Sequence, residues 1–486
     1  MSVARPCFVG IDCGTGSTKA LLLDGATGAV LGVRSAPHAL DVRVDGTSEQ
    51  DPADWIAAAT RAVREVLAAT PGATVRGIGV SGQQHGLVAM DDGDHPVRPA
   101  KLWNDTTTAE DCAILTDAVG GPDAPLRLTG NRFLAGYTAP KLLWLRRHEP
   151  EAYRRAVRFC LPHDYVNRWL TGAFVTEPGD ASGTAYFDVR ARRYSDPVLH
   201  AIDPDRDWGT ALPPVVDSCS VVGELREPAA AELGLPPEIP VVAGGGDNMC
   251  AAIGVGAVHP GPVVVSLGTS ITAATRRDEP AVDPAGEVAA FCDSAGGWLP
   301  LACMLNGTGV VDWLRGLIGA SAPSVDAALE ASPPGARGLT FLPYLSGERT
   351  PDLPTASGRM DGLRLDHAPV DIIRAAVEGL TAGLAHGLDA LRRVGVAPEA
   401  LIAVGGGSRS DAWCQLVADI SGLPVSRPEG TEAAAEGAAR QARWVIDGVE
   451  PDGFRVGRAW EPRRDPTLEL AVARVASARE ELSPRD

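Results

Sequence analysis

"FVGIDCGTGSTKALLLD" (residues 8–24) is an apolar run that ends in Asp12, a turn of Gly, Thr and Ser, then Lys19 and a second apolar run. The pattern predicts a strand, a tight turn and a second strand. It resembles a phosphate loop in composition, but a Walker loop needs Gly-x-x-x-x-Gly-Lys-Ser/Thr, and no glycine directly precedes Lys19. What remains is a hairpin whose backbone N–H groups can face an anion. Gly14 would let that anion approach closely, and Thr15, Ser17 and Thr18 would place hydroxyls beside it. Lys19 would add charge. Asp12 can hold Mg²⁺ through water, because this hard ion keeps much of its hydration. The alternative is a structural hairpin with a solvated Asp12.

Working outward, "AVLGVRS" follows the turn "DGATG" and extends the hairpin to a third strand. "DPADWIAAATRAVREVLAAT" has helical spacing, with Trp55, Ile56, Ala59, Val63 and Val66 on one side. "VRGIGVSGQ" reads as a buried strand, and strands then alternate with helices, which is an α/β pattern. The opening theme returns in "GPVVVSLGTSITAAT" (261–275), where Gly268-Thr269 repeats Gly14-Thr15, 254 residues on. A repeat at about half the chain predicts two domains of similar fold, each opening with a hairpin aimed at one ligand. "IPVVAGGGDNMCAAIGVG" (239–256) and "LIAVGGGSRSDAWCQLVADISGLPV" (401–425) each run from a strand through three glycines into a helix. Such turns lie at the C-terminal strand ends, where α/β sheets bind ligands. The domain boundary is expected near residue 246, giving units 1–246 and 247–486. "EAAAEGAARQARWVI" reads as an Ala-rich helix.

Composition narrows the function. The 486 residues carry a net charge of −18 and no block of Lys or Arg, which argues against nucleic acid or an anionic membrane as partner. Nine scattered cysteines form no Cys-x-x-Cys pair, which fits reduced thiols in the cytoplasm. No apolar run is long enough to span a bilayer. Oligomeric state is open, a homodimer included.

Two longer stretches carry a family resemblance. "GYTAPKLLWLRRH" (136–148) and "GRMDGLRLDHAPVDIIRAAVE" (358–378) are similar to the two signatures of the FGGY carbohydrate kinases, within the actin, heat-shock-chaperone and sugar-kinase superfamily. "SGQQHGLVAMDD", "RPAKLWND", "LPHDYVNRWLTG", "GDASGTAYFDV" and "YLSGERTP" extend the resemblance, in order, over nearly the whole chain. It implies an α/β fold of two actin-like (ribonuclease H-like) domains with the active site in the cleft between them. It also implies ATP-dependent phosphorylation of a ketopentose, D-xylulose before ribulose or ribitol, with ATP and Mg²⁺ as the cofactors and the sugar as the other small-molecule partner. A nucleotide-driven binding protein or a sugar-sensing regulator is the competing class. Neither a peptide-binding domain nor a helix-turn-helix segment is expected from the sequence.

The resemblance also orders the candidate residues. Asp247, after three glycines, reads from chemistry alone as a helix cap or as a general base. The resemblance favours the base, with Asp12 and Asp247 at the metal. Gln84, His85, Trp103, Asn104, Asp105 and Asn248 are expected around the sugar. Gly14, Thr15, Ser17, Thr18 and Lys19 would meet phosphate from the first hairpin, and Gly268, Thr269 and Ser270 from the second. Gly405, Gly406 and Gly407 would let adenosine lie against backbone. Each hydroxyl has an alternative role as a turn hydrogen bond, Trp103 as core, and the glycine run as a packed turn. Glu348 and Arg349 read only as a polar loop.

Overall fold

The computed structural model describes residues 5–430, 432–451 and 453–482. Two seven-stranded mixed sheets carry the chain. The first runs Val221–Glu224, Pro240–Val242, Ala73–Gly82, Arg5–Cys13, Ser17–Asp24, Val30–Pro37, with Gly245–Gly246 also paired to Ala73–Gly82. The second runs Val288–Ala289, Leu301–Met304, Ile271–Ala274, Pro262–Leu267, Ala400–Val404, Val425–Pro428, Val456–Trp460.

The repeat seen in sequence is a repeat of topology. Arg5–Cys13 pairs antiparallel with Ser17–Asp24, Asp12 opposite Lys19, and parallel with Ala73–Gly82. Pro262–Leu267 pairs antiparallel with Ile271–Ala274 and parallel with Ala400–Val404. The second turn is the shorter: Leu267 faces Ile271, whereas Cys13 faces Thr18. Together these make an α/β molecule of actin-like type.

The middle of each strand of the first hairpin is a continuous apolar run because both faces are covered. Val9, Ile11 and Leu22 share a core with Trp55, Ala59, Val63 and Val66 of the helix Pro52–Ala68. Asp51 caps that helix by accepting from the Ala53 N–H, and Pro52 fills a position whose N–H would have no partner. Ile56, expected on the same face, is only half-buried at its edge. On the opposite side Phe8, Leu21 and Leu23 pack against Ala435, Ala439 and Ala442 of the helix Ala433–Asp447. A helix late in the chain therefore lies against the sheet formed early in it. It also packs along the helix Asp247–Gly254, which begins at Asp247. Among the described residues, no helix is long and apolar enough to cross a membrane.

Candidate active site

The first hairpin closes with the Gly14 N–H donating to Ser17 O at 3.1 Å. Gly16 is exposed, and a Cβ there would meet nothing within 4 Å, so the tip is open to a ligand. Thr15 is tied down: its hydroxyl donates to Gln83 Oε1 at 3.2 Å and accepts from Trp103 Nε1 at 2.9 Å. Thr18 is fully buried, so it belongs to the packed side of the hairpin rather than to the open tip. Asp12 is buried and accepts from Ser81 Oγ at 2.9 Å. Burial pushes its carboxyl above the usual range, opposed by Lys19, whose Nζ lies 4.0 Å away. Lys19 itself pairs with Glu432 at 2.6 Å and feels the repulsion of Arg409 from the other sheet's glycine turn. Two cations from two sheets thus face the same space.

The second turn closes with Gly268 N–H donating to Ser270 O at 3.0 Å. Its other side rests on Gly307, where a Cβ would lie 2.4 Å from Gly268 O. Thr269, with Asn306, Gly309 and Trp313, lines a second, open pocket beyond this turn. The glycine run 405–407 divides by role. A Cβ on Gly405 or Gly407 would come within 3.0 Å of Leu267, and Gly405 has φ +83°, so packing and conformation account for both. Gly406 faces open space. The helix that follows runs Asp411–Ser421, capped by Ser410, whose hydroxyl accepts from the Trp413 N–H.

Between the hairpins lies a cavity of about 200 Å³, smaller than the roughly 300–1,000 Å³ of pockets for drug-sized ligands. One wall carries Gln84, His85, Trp103, Asp247 and Asn248; the other carries Ser266, Gly268, Ser270, Thr272, Cys303 and Arg349. His85 has φ 66°, a left-handed conformation that a residue with a Cβ rarely adopts and that often marks functional sites. Its carbonyl accepts from Lys141 Nζ at 2.7 Å and from Thr138 Oγ1 at 3.1 Å. The "GYTAPK" stretch therefore clamps the backbone of His85. The His85 ring Nδ1 donates to Gly183 O at 2.7 Å, and burial, with Lys141 and Arg349 nearby, keeps the ring neutral. This tautomer leaves Nε2 as an acceptor. Gln84 supplies the opposite polarity: its Oε1 accepts from Asn248 Nδ2 at 3.0 Å, while its buried Nε2 has no partner.

Asp247 is the first residue of its helix, not the cap, which is Gly246. Its Oδ1 accepts from the Asn248 N–H at 2.8 Å and from Asn248 Nδ2 at 3.1 Å. Burial, then the negative charge of Asp12, pushes its carboxyl up to about 7. Asp247 and Asp12 are two carboxylates that repel in a confined space, a donor set suited to a hard cation.

Not every candidate reaches the cavity. Trp103 does, but Asp105 is fully buried in an ion pair with Lys101 at 2.7 Å and accepts from the Ser48 N–H. The expectation that Asp105 lines the sugar site is corrected: its carboxylate neutralises a buried lysine. Asn104 keeps an unpartnered buried Oδ1 outside the lining. Sequence reading missed Arg349, Thr272, Tyr137 and Phe291; "SGERT" and "GYT" were visible as segments, but nothing local says that they meet His85.

Behind the "GGGD" turn, His163, Asp164 and Asp180 are spaced as metal ligands would be. Both imidazole nitrogens are engaged, Nε2 with Ala243 O at 2.6 Å and Nδ1 with Asp180 at 3.2 Å. The two carboxylates raise His163 well above its usual value, so this is a buried imidazolium between acids, holding the carbonyl before the glycines.

Two hairpin-bearing sheets, cations converging from both, and a carboxylate beside a small polar cavity are the parts a phosphotransferase of actin-like build requires. Family models for the FGGY carbohydrate kinases match it twice, the N-terminal domain over residues 7–254 and the C-terminal domain over 263–445. The chain belongs to the FGGY family of carbohydrate kinases. It is 41% identical to the xylulose kinase of Streptomyces coelicolor, covering 96% of this chain and 94% of that one. The Haemophilus influenzae xylulose kinase is 38% identical over 90% of each. Among solved structures, the xylulose kinase of Bifidobacterium adolescentis superposes with a TM-score of 0.82 at 30% identity, over 97% of this chain and 99% of that one.

Proposed function

We propose that this carbohydrate kinase transfers the γ-phosphoryl group of ATP to O5 of D-xylulose, with Asp247 as the general base. The observation that carries the reading is the cavity beside Asp247. It is small, and its free polar groups alternate: the Gln84 amide donates, while His85 Nε2 and the Asp247 carboxylate accept. A polyhydroxylated chain, each hydroxyl both donor and acceptor, complements that set. Curated relatives of this chain act as xylulose kinases, which supports the choice of sugar.

The chemistry assigned to the chain is positioning and proton transfer. Asp247 accepts the proton of the attacking hydroxyl, and its carboxyl near 7 suits a base working at neutral pH. Lys19 and the open tip at Gly16 would face the phosphates from the first sheet, and Arg409 and the Gly268–Ser270 turn from the second. Asp12 and Asp247 would hold Mg²⁺, which when bound screens charge on the phosphates. The division into units 1–246 and 247–486 assigns sugar and first phosphate loop to one half and nucleotide to the other. The nine unpaired cysteines fit a reducing, cytoplasmic setting. A homodimer is open to sedimentation analysis.

The test is ADP release across a panel of D-xylulose, ribulose, ribitol and glycerol. The highest kcat/KM is expected with D-xylulose. A clear preference for another panel member would replace the sugar, and no sugar-dependent ADP release would remove the kinase reading.

A further inference from the structure

Arg349 stands out among the groups that the proposed chemistry leaves unused. Its guanidinium lines the sugar cavity, half-buried, and no carboxylate lies within ion-pair distance among the described residues. Its contacts are Cys303 Sγ at 3.9 Å and the Tyr137 ring, 5.9 Å from the ring centre. A buried cation is costly unless something compensates it. The two nearby acids are engaged elsewhere. Glu348 turns to the backbone, accepting from Leu305 N–H at 2.6 Å, from Arg349 N–H at 2.8 Å and from Asn306 Nδ2 at 3.0 Å. Glu287, on the cavity wall, pairs with Arg393 and lies 3.4 Å from His386.

The missing partner therefore comes from the ligand. A guanidinium offers only donors, arranged as a fork, and a carbonyl oxygen is the one sugar atom that only accepts. Placement agrees. The Tyr137 ring, whose centre is 5.9 Å from the Arg349 guanidinium, lies 4.5 Å from the His85 ring. Arg349 therefore belongs to the His85 end of the cavity.

We propose that Arg349 is a specificity-determining residue that donates to the C2 carbonyl oxygen and the adjoining O1 of the ketose, while O5 lies at Asp247. This rests on the reading that a pentulose occupies the cavity. Arg349 then selects ketoses over the polyols made by reducing C2, whose hydroxyl must turn its own proton away from the fork.

The experiment measures binding by calorimetry without nucleotide, using D-xylulose and its C2-reduced forms xylitol and D-arabinitol. Wild type, Arg349→Gln and Arg349→Lys are compared, with melting temperature and affinity for a non-hydrolysable ATP analogue alongside. Wild type is expected to prefer the ketose. Arg349→Gln should lose about 10- to 150-fold in ketose affinity, the range for a hydrogen bond to a charged group. Polyol affinity should fall less, Arg349→Lys should recover part of the preference, and nucleotide affinity should hold. Equal losses for all three sugars, or undiminished ketose binding, would overturn the proposal. A wild type that leaves D-xylulose unphosphorylated in the ADP-release panel overturns the substrate reading itself, and this proposal with it.

Discussion

Asp247 joins two demands that oppose each other. A base must present a carboxylate in a confined, charge-rich place, and that place penalises the carboxylate. Its carboxyl stands at about 7 against an ordinary 3.8. A folded-state value above the unfolded one gives stability that is complete below about pH 4 and is lost as pH rises to about 7. Asp247→Asn should therefore cut kcat by about 10²-fold or more, yet melt higher than wild type at pH 8. At 1.36 kcal/mol per unit, the gain is on the order of 4 kcal/mol at most and should shrink toward pH 4. Melting curves at both pH values check the stability half, and an unchanged or lower melting point at pH 8 contradicts it. The acidic limb of kcat/KM for the sugar should reflect the same carboxyl. Because Asp12 is the main charge raising it, Asp12→Asn should move that limb to lower pH and weaken the Mg²⁺ dependence. A limb that stays put, with an unchanged Mg²⁺ midpoint, would detach Asp12 from the base.

At the scale of elements, the helix Ala433–Asp447 shows what was legible in the sequence and what was not. Its helical pattern was plain, and so was its alanine content, but composition does not say against what those alanines pack. The structure supplies the reason: a Cβ on Gly437 would lie 1.7 Å from Cys250 O, one on Gly10 would lie 1.9 Å from Ala435 O, and one on Gly79 would lie 2.1 Å from Ala438 O. Backbone meets backbone there, and the helix that starts with Asp247 is one of the partners. Gly437→Ala gains about 1 kcal/mol in helix propensity but forces the helices apart, which costs roughly 1–3 kcal/mol or more in a tight core. The melting point should fall, and kcat with it. Gly316, in the helix Thr308–Ile318, is the control: a Cβ there meets nothing within 4 Å, so Gly316→Ala should stabilise by about 1 kcal/mol. Equal effects at both positions would show that propensity alone decides. The hairpins, both glycine turns and Asp247 were readable because each rests on local residue chemistry. Arg349, the burial of Thr18 and the Lys101–Asp105 pair were not, because each depends on a partner or on packing that the local pattern does not show.

At the scale of the molecule, buried hydrogen bonds tie the two halves together, and both halves line one cavity. Asn131 Oδ1 accepts from the Ala290 N–H at 2.8 Å, Ser294 Oγ donates to Glu177 at 3.0 Å, and Gln441 Nε2 reaches both Gly244 O and Ser294 O. These buried bonds form a seam that joins residues early and late in the chain. The cavity wall, by contrast, is divided between Gln84, His85 and Asp247 and the strands and loops around Ser270 and Arg349, and groups such as Gln84 Nε2 there have no partner. Transfer needs the hydroxyl, the γ-phosphoryl group and the base within hydrogen-bonding reach, and an open cleft would admit water as a competing acceptor. Ligands that bridge both walls should therefore draw the halves together about the seam, with the sugar completing the site. Small-angle scattering with D-xylulose and a non-hydrolysable ATP analogue should show a smaller radius of gyration and maximum dimension than the free protein. Nucleotide alone should give a smaller change, because it leaves the sugar cavity unfilled. Dimensions unchanged at demonstrated saturation would limit the response to the turns at Gly14–Ser17 and Gly268–Ser270, and water would then have to be excluded by the ligands themselves.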